Sequence, residues 1–137
     1  MKEITMEAVV ANIEKMTAFV DEVLEEAGCP LKKQLQIDVA VDEIFSNISK
    51  YAYPEGTGTA TLQVEITEDP RTAEVTFIDS GIPFDPMKEM EPDVTLSAEE
   101  RKIGGLGIYL VQKTMDGMSY EYVDGKNILR ICKNIDE

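Results

Sequence analysis

Histidine is absent from the 137 residues of this sequence, and cysteine occurs only twice. Without histidine the chain can form no histidine-based catalytic triad and no histidine-mediated pH switch, and most zinc sites are excluded. Cys29 and Cys132 are too far apart in the sequence to form a zinc knuckle or a CxxC redox pair. We therefore expect two reduced thiols and no disulfide.

Long apolar runs are also missing, and none approaches the length needed to cross a bilayer. The first seven residues, MKEITME, are interrupted by acidic side chains and lack the apolar core of a signal peptide. We therefore expect a cytoplasmic protein. With 43% hydrophobic and 29% charged residues, the composition is that of an ordinary globular protein, and we expect one domain over residues 1–137.

Positive charge is scarce in this sequence. The 13 basic residues are outnumbered by 27 acidic ones, which gives a formal net charge of −14. Such a surface repels phosphate backbones and anionic membranes, which argues against direct binding of nucleic acid or of a membrane. The same charge suits a protein partner with a basic surface, although solubility alone would explain it equally well.

Hydrophobic periodicity predicts the order strand, helix, helix, strand, strand, long loop, helix, strand, strand. The predicted helices span about 12–27, about 31–53 and about 106–115, and the predicted strands span 2–8, 60–66, 73–77, 118–124 and 128–133. Asn12 is the expected N-cap of the first helix, and Gly125-Lys126-Asn127 is the expected connection between the last two strands. This order predicts an α+β fold, with a mixed, mostly antiparallel sheet and helices on one face.

Residues 85–103 show no convincing periodicity. They contain two prolines, many charges and few large apolar residues. A loop of this length inside a compact domain is uncommon and is usually functional or mobile. Three cations in or beside it, Lys88, Arg101 and Lys102, are candidates to reach a phosphate group, although most charged loop residues are simply solvated.

Asp79 continues the alternation of the predicted strand 73–77, so its carboxylate should point to the buried side of the sheet. Burial of a carboxylate is unfavourable unless hydrogen bonds satisfy it. One interpretation is that Asp79 caps the Ser80-Gly81 turn. The alternative is a ligand site, because Gly81 lets a ligand approach the backbone closely and an apolar run through Phe84 follows. A carboxylate at the floor of an apolar pocket is suited to the exocyclic amine of adenine.

The run GGLG at residues 104–107 ends the aperiodic segment and opens a predicted helix. Glycines there expose backbone N–H groups, and the helix N-terminus adds the positive end of its dipole. Gly104, Gly105, Leu106 and Gly107 are therefore a candidate phosphate site. A hinge or a tight packing point would explain the glycines equally well. The run is neither a P-loop, because no Gly-Lys-Ser/Thr follows, nor a Rossmann fingerprint, because no strand precedes it.

Glu43 and Asn47 lie four residues apart on the second predicted helix, on a flank away from its apolar stripe. An asparagine oxygen is a ligand that Mg²⁺ accepts alongside phosphate oxygens and water. A glutamate one turn away can orient or deprotonate a hydroxyl nucleophile. Lys50, one turn after Asn47, is a further candidate for a phosphate contact. An ordinary solvated flank is the alternative interpretation of these residues.

Together these elements resemble the Bergerat-fold (GHKL) ATPases, the superfamily of gyrase and the histidine kinases. The run DEIFSN at 42–47 looks like the N-box of that superfamily, and DSG at 79–81 looks like its adenine-binding Asp-x-Gly. The run GGLGI at 104–108 looks like its second glycine box. The resemblance covers the chain from the second helix to the last strand. It implies a two-layer α/β sandwich, ATP as the cofactor and an ATP lid at about 85–104.

Within the superfamily the chain is most similar to the anti-sigma-factor serine/threonine kinases of bacterial partner-switching systems. The similarity lies in its small size, its N-terminal strand and helix, and the run GGLGIYLV. In that family the protein holds a sigma factor inactive, and it phosphorylates a Ser or Thr on a STAS-domain antagonist with ATP and Mg²⁺. The resemblance implies that Asn47 binds Mg²⁺, that Glu43 is the catalytic base and that Asp79 binds adenine. It also implies a homodimer.

Two departures from that family keep a second hypothesis open. The N-box ends in KYAY at 50–53, where relatives often have a His-Ala-Tyr-like sequence, and GKNI at 125–128 replaces the Thr near the last strands of many relatives. The alternative is a nucleotide-binding regulatory module that sequesters a protein partner without phosphorylating it. The residues predicted to contact the nucleotide are Asn47, Lys50, Asp79, Gly81, Phe84, Gly104, Gly105, Leu106 and Gly107.

Overall fold

The computed structural model describes residues 1–89 and 103–136, and this part of the chain contains a five-stranded sheet. The strands are β1 (Lys2–Glu7), β2 (Thr59–Thr67), β3 (Thr72–Asp79), β4 (Gly117–Val123) and β5 (Lys126–Asn134). Their order across the sheet is β1-β2-β3-β5-β4, and every neighbouring pair is antiparallel. The α+β fold class is confirmed, but the parallel pairing that a mixed sheet would contain is absent from the described strands.

Helices cover one face of this sheet. The described α-helices are α1 (Ile13–Glu26), α2 (Leu31–Tyr51), α3 (Pro86–Glu89) and α4 (Ile103–Thr114), and a short 3-10 helix, Val10–Asn12, precedes α1. Alternate residues of β2, namely Ala60, Leu62 and Val64, are buried, and they belong to one apolar core with the buried residues of α1, α2 and α4. No helix in residues 1–89 and 103–136 is long and apolar enough to cross a membrane.

Asn12 occupies the N-cap position of α1, as predicted, but its side chain does not cap the helix. Its Nδ2 instead donates a hydrogen bond of 2.8 Å to the carbonyl oxygen of Glu7 at the end of β1. Asn12 therefore fastens the strand to the helix that follows. The segment expected to be aperiodic contains α3, and α4 begins at Ile103 rather than at about residue 106.

The β4–β5 hairpin differs from the prediction in its turn. Asp124 (φ 53°) and Gly125 (φ 77°) both adopt the left-handed conformation that a two-residue type I′ turn requires. Val123 therefore pairs with Lys126, and β5 starts at Lys126. Asn127, which the sequence analysis assigned to the connection, is a buried residue of the strand.

A pair of carboxyl groups lies between α1 and α2. The Oδ1 atoms of Asp21 and Asp38 are buried, and neither has a hydrogen-bond donor among the described residues. Burial, followed by the hydrogen bond and the charge of Asp21, raises the pKa of Asp38 to about 8, and the charges of Asp42 and Glu25 add to the effect. A proton held by the Asp38 carboxyl and directed at Asp21 would supply the donor that the pair otherwise lacks.

This pair makes the stability of the fold depend on pH. Because the pKa of Asp38 is raised in the folded state, the native chain holds a proton that the unfolded chain loses above about pH 4, so stability falls as the pH rises towards 8. Asp38→Asn carries a permanent donor in place of that proton. We expect this variant to raise the melting temperature, and to raise it more at about pH 8 than at about pH 5.

Thermal unfolding followed by circular dichroism at both pH values measures this difference. Asp124→Asn, in the exposed β4–β5 turn, controls for the loss of one negative charge from a chain of net charge −14. A gain in melting temperature for Asp38→Asn that is equal at the two pH values would contradict the raised pKa of Asp38.

Candidate nucleotide site

A cavity opens between α2, α4 and the adjacent ends of β3 and β5. It encloses about 400 Å³ of empty volume, part of which is open to solvent. Its lining residues are Ile44, Asn47, Ile48, Ala52, Asp79, Phe84, Pro86, Ile108, Tyr120, Asn127 and Leu129. A mostly apolar wall with a few convergent polar groups is the usual form of a small-molecule site. Three of the predicted site residues, Asn47, Asp79 and Phe84, meet here.

Asp79 is the last residue of β3 and is only 6% exposed, on the helix-covered side that its parity predicted. Its Oδ1 accepts hydrogen bonds of 2.9 Å from the backbone amide of Gly81 and 2.9 Å from Nδ2 of Asn127. Burial raises the pKa of the Asp79 carboxyl, and these two hydrogen bonds lower it in part. Because both bonds end on Oδ1, the lone pairs of Oδ2 are left for a donor in the cavity.

Asn127 is a site residue that the sequence analysis missed. It lies directly opposite Asp79 in the β3–β5 register and is 5% exposed. Its Nδ2 donates to Asp79 and, at 2.8 Å, to the carbonyl oxygen of Ile82, while its Oδ1 accepts from the amide of Phe84 at 3.1 Å and from the hydroxyl of Tyr120. All four hydrogen-bonding positions of the amide are used, so Asn127 joins β3, β4 and the 81–84 segment around the carboxylate.

The signal that would have located Asn127 is the Asp124-Gly125 dipeptide. An Asp-Gly pair between two alternating runs indicates a two-residue turn, and that turn length sets which side chains of the returning strand face the core. A longer connection through residues 125–127 leaves Asn127 outside the strand. The prediction therefore missed the partner of Asp79 because it misplaced the turn.

Asn47 lines the cavity from α2 and is 9% exposed. Its Nδ2 is buried and has no hydrogen-bond partner among the described residues. An unsatisfied buried amide is destabilising by about 1–3 kcal/mol, so a ligand atom at this position would relieve it. The side chain also fits an Mg²⁺ ion that is held chiefly by phosphate oxygens and water, because such an ion needs few protein ligands and accepts an amide oxygen.

Glu43 lies one turn before Asn47 but is not among the described residues that line the cavity. Its carboxylate contacts α4 at Gly107, where a β-carbon would lie 2.0 Å from Oε2 and 2.5 Å from Cδ of Glu43. Gly107 is therefore the residue that lets the glutamate side chain lie against α4. A hinge or phosphate function is not needed to explain this glycine.

The glycine run does not form a loop. Gly104, Gly105, Leu106 and Gly107 all lie within α4, in its first two turns. The amides of a first helical turn have no partner inside the helix, so Gly104 and Gly105 still offer backbone donors and the positive end of the helix dipole to an anion. The predicted lid at about 85–104 falls mostly on residues 90–102, which lie outside the described residues and include Arg101 and Lys102.

Gly81 was expected to let a ligand approach the backbone, but it allows close packing within the protein instead. The space where its β-carbon would lie is taken by Ala52, the C-cap of α2, whose carbonyl oxygen is 2.3 Å away, so the close approach is made by the protein and not by a ligand. The same Ala52 oxygen accepts a hydrogen bond of 2.9 Å from the amide of Ile82. Phe84 stacks on Tyr51 with ring centroids 5.8 Å apart. Lys50, which precedes Tyr51, is exposed and is not among the residues that line the cavity.

Comparison with known proteins identifies relatives over most of the chain. Residues 6–133 match the family model described as a histidine kinase-like ATPase domain. The serine-protein kinase RsbW of Listeria monocytogenes is 32% identical over 120 residues, which are 84% of this chain and 74% of that protein. The serine/threonine-protein kinase BtrW of Bordetella bronchiseptica is 26% identical over 98 residues, with coverages of 72% and 68%.

Solved structures share the fold at low sequence identity. The structure of the RsbU and RsbW domains of Rv1364c from Mycobacterium tuberculosis superimposes with a TM-score of 0.67 at 12% identity, covering all of this chain and 33% of that one. A histidine kinase domain from Erythrobacter litoralis gives a TM-score of 0.59, also at 12% identity, covering 92% of this chain and 60% of that one. The chain thus spans about a third of the first of these structures.

The sheet with helices on one face forms the fold that the family model describes as a histidine kinase-like ATPase domain, and the cavity lies within the matched residues. The chain belongs to the histidine kinase-like ATPase family, and its similarity to RsbW includes it among the serine-protein kinases of that family. The expected superfamily and the expected enzyme class, a protein serine/threonine kinase, are confirmed. The individual roles of the site residues remain predictions.

Asn127→Ala tests the partner of Asp79. Loss of a hydrogen bond to a buried carboxylate should weaken ATP binding about 10-fold. The pKa of the Asp79 carboxyl is raised by burial and partly lowered by Asn127, so the variant should raise it further. The Asp79 carboxyl accepts a hydrogen bond from an amine best when it is ionised. As the pH is lowered, ATP affinity should therefore begin to fall at a higher pH in Asn127→Ala than in the wild type.

Isothermal titration with ATP across acidic pH measures both effects. Asn134→Ala, at the far end of β5, is the matched control and should leave the affinity and its pH dependence unchanged. If Asn127→Ala binds ATP with wild-type affinity, and if this affinity falls at the same acidic pH as in the wild type, Asn127 does not position Asp79.

Gly107→Ala tests the contact between α4 and Glu43. Alanine is favoured over glycine inside a helix by up to about 1 kcal/mol, so the variant should melt at the same or a higher temperature. Its methyl group would displace the Glu43 carboxylate, which now lies 2.0 Å from the position of that β-carbon. We expect phosphoryl transfer to fall at least about 10-fold while the fold is retained.

The assay pairs thermal unfolding with transfer of labelled phosphate from ATP. Gly56→Ala is a suitable control, because no heavy atom lies within 4 Å of the position of its β-carbon. If Gly107→Ala transfers phosphate at the wild-type rate, the position of Glu43 against α4 has no part in the reaction.

Proposed function

We propose that the chain is an anti-sigma factor that uses ATP and Mg²⁺ to phosphorylate a Ser or Thr on a STAS-domain antagonist. The observation that carries the proposal is the placement of Glu43. Its carboxylate lies one helical turn from Asn47 yet outside the described lining of the cavity, against α4 at Gly107. A base for an incoming hydroxyl has to lie beside the phosphate end of a nucleotide and not beneath its purine, and the position of Glu43 outside the described lining of the cavity supports this role.

The cavity accounts for the nucleotide end of the reaction. Oδ2 of Asp79 would accept from the exocyclic amine of adenine, and the apolar walls formed by Ile44, Ile108 and Leu129 would enclose the ring. Asn127 holds the carboxylate in place from the neighbouring strand. These residues would bind and orient the adenine ring, and they would not take part in bond breaking.

The phosphates would extend from the cavity along α2 towards the first turn of α4. The backbone amides of Gly104 and Gly105 would donate to phosphate oxygens at this helix N-terminus. Asn47 would hold Mg²⁺, which supplies neutralisation of phosphate charge when it is bound. The unpartnered Nδ2 of Asn47 supports a polar ligand at this position.

Glu43 would act on the protein substrate. As the hydroxyl oxygen of a Ser or Thr bonds to the γ-phosphorus, the bond from that phosphorus to the bridging oxygen breaks and ADP leaves. The hydroxyl proton passes to the Glu43 carboxylate. Positioning by α4 favours this transfer because the carboxylate is held in one place before the substrate arrives.

The partners follow from the family and from charge. A net charge of −14 complements a basic surface, and a sigma factor, which must also contact anionic nucleic acid, is a partner of that kind. We propose a homodimer on family grounds alone. The single ATP-binding domain over residues 1–137 belongs to the same proposal.

Glu43→Gln tests the reaction directly. The amide keeps the size and helix preference of the glutamate but cannot accept the proton, so transfer to the STAS-domain substrate should fall about 100-fold or more. ATP affinity should stay within a few-fold, because Glu43 does not line the cavity. Transfer of label from γ-labelled ATP to a panel of STAS-domain proteins, with Mg²⁺ present, is the measurement.

Glu65→Gln, an exposed change on β2, is the matched control for loss of one carboxylate. Undiminished transfer in Glu43→Gln would remove Glu43 from the catalytic role. Stable complexes between the wild-type chain and these proteins, formed without transfer of label, would overturn the kinase proposal in favour of a sequestering module.

A further inference from the structure

Helix α2 has apolar residues on two sides, and only one of these sides is buried against the rest of the protein. Ile37, Val41 and Ile44 are buried in the core. On another side Leu31, Leu35 and Val39 recur at intervals of four residues and are 68%, 54% and 54% exposed. A surface helix normally has a polar outer face, so an apolar stripe of this length indicates a surface that is covered by another molecule.

Helix α4 forms the second wall of a groove along this stripe. The groove holds about 1030 Å³ of open volume and is lined by Leu31, Lys32, Leu35, Gln36, Val39, Leu110 and Thr114. Leu110 is 55% exposed. Four of the seven lining residues are apolar, and the groove is wide enough to hold several side chains.

The groove leads to Glu43. The next step of four residues along α2 after Val39 is Glu43, and one turn before Leu110 on α4 is Gly107, which contacts the Glu43 carboxylate. The two walls thus converge on the proposed base. From Leu31 to Glu43 the distance along the helix axis is about 18 Å, which matches three turns of a helix or about five extended residues.

We propose that this groove docks the apolar face of the protein substrate, in the segment that carries the acceptor hydroxyl. The inference rests on the proposed kinase function and adds the recognition element to it. A segment that lies along Leu31, Leu35 and Val39 presents its next residue to Glu43, so the groove sets which hydroxyl of the substrate is phosphorylated.

Charge indicates a further property of the docked segment. Lys32 is the only charged residue among the described residues that line the groove, in a chain where acidic residues outnumber basic ones by 27 to 13. Lys113, one residue before Thr114, adds a second cation on the exposed side of α4. The complementary segment has an apolar face, an acidic residue at the end near Lys32 and a Ser or Thr at the end near Glu43.

The test is a steady-state comparison of groove variants. Leu35→Gln and Val39→Gln replace exposed residues with a good helix former, so both variants should fold with melting temperatures close to that of the wild type. The probe is the STAS-domain protein that the wild-type chain phosphorylates. The double variant should raise KM for this protein about 10-fold, with kcat and the Kd for ATP unchanged.

Val10→Gln is the matched control for Val39→Gln. Val10 is 56% exposed and Val39 is 54% exposed, but Val10 lies outside the groove. Its KM should not change. Lys32→Glu should raise KM about 3-fold or more, whereas Lys126→Glu, at the exposed first residue of β5, should leave it unchanged.

The outcomes separate the two proposals. If no STAS-domain protein is phosphorylated by the wild-type chain, the proposed function fails, and the docking inference fails with it. If the wild type transfers phosphate but the groove variants keep its KM within two-fold, the docking inference alone is overturned. If KM is unchanged while the double variant alters the mass measured by light scattering, the groove is an interface between copies of this chain instead.

Discussion

The hydrogen bond between Asn127 and Asp79 is the interaction on which the candidate site depends. It joins the inner strands β3 and β5 at the end where the cavity opens, and it offsets part of the unfavourable burial of the carboxylate. The same asparagine also fixes the segment that follows Asp79 through Ile82 and Phe84. One side chain therefore contacts both the acceptor of the cavity and the segment that forms part of its wall.

Close approach between elements is the second constraint. At Gly107 a glutamate carboxylate occupies the volume of the missing side chain, and at Gly81 the end of α2 does so. Both contacts involve α2 or its C-terminal cap, because the helix carries Glu43 and Asn47 on successive turns and Ala52 follows its last residue. The helix thus holds the proposed base, the polar residue of the cavity and the turn after Asp79 in one rigid unit, so the spacing between the nucleotide and its acceptor is built into the fold.

Local pattern was sufficient for much of this structure. Alternation in residues 60–66 and 73–77 predicted two strands of the sheet, and the parity of Asp79 predicted its buried side. The functions of Gly81, Gly107 and Asn127 depended on which atoms of distant residues come near them, and periodicity carries no such information. The beginning of α4 was misplaced because glycine is a weak helix former, whereas tertiary packing of Ile108 and Val111 outweighs that preference.

The two-residue turn at Asp124-Gly125 has a consequence for how this site can change over evolution. Side chains alternate along β5, so one residue inserted into or deleted from the turn would present Lys126 or Ile128 to Asp79 in place of Asn127. The carboxylate would lose its partner although every residue of the cavity remained in the sequence. Turn length is thus as much a heritable determinant of the site as the side chains themselves, and alignments that place a gap at this turn should be interpreted accordingly.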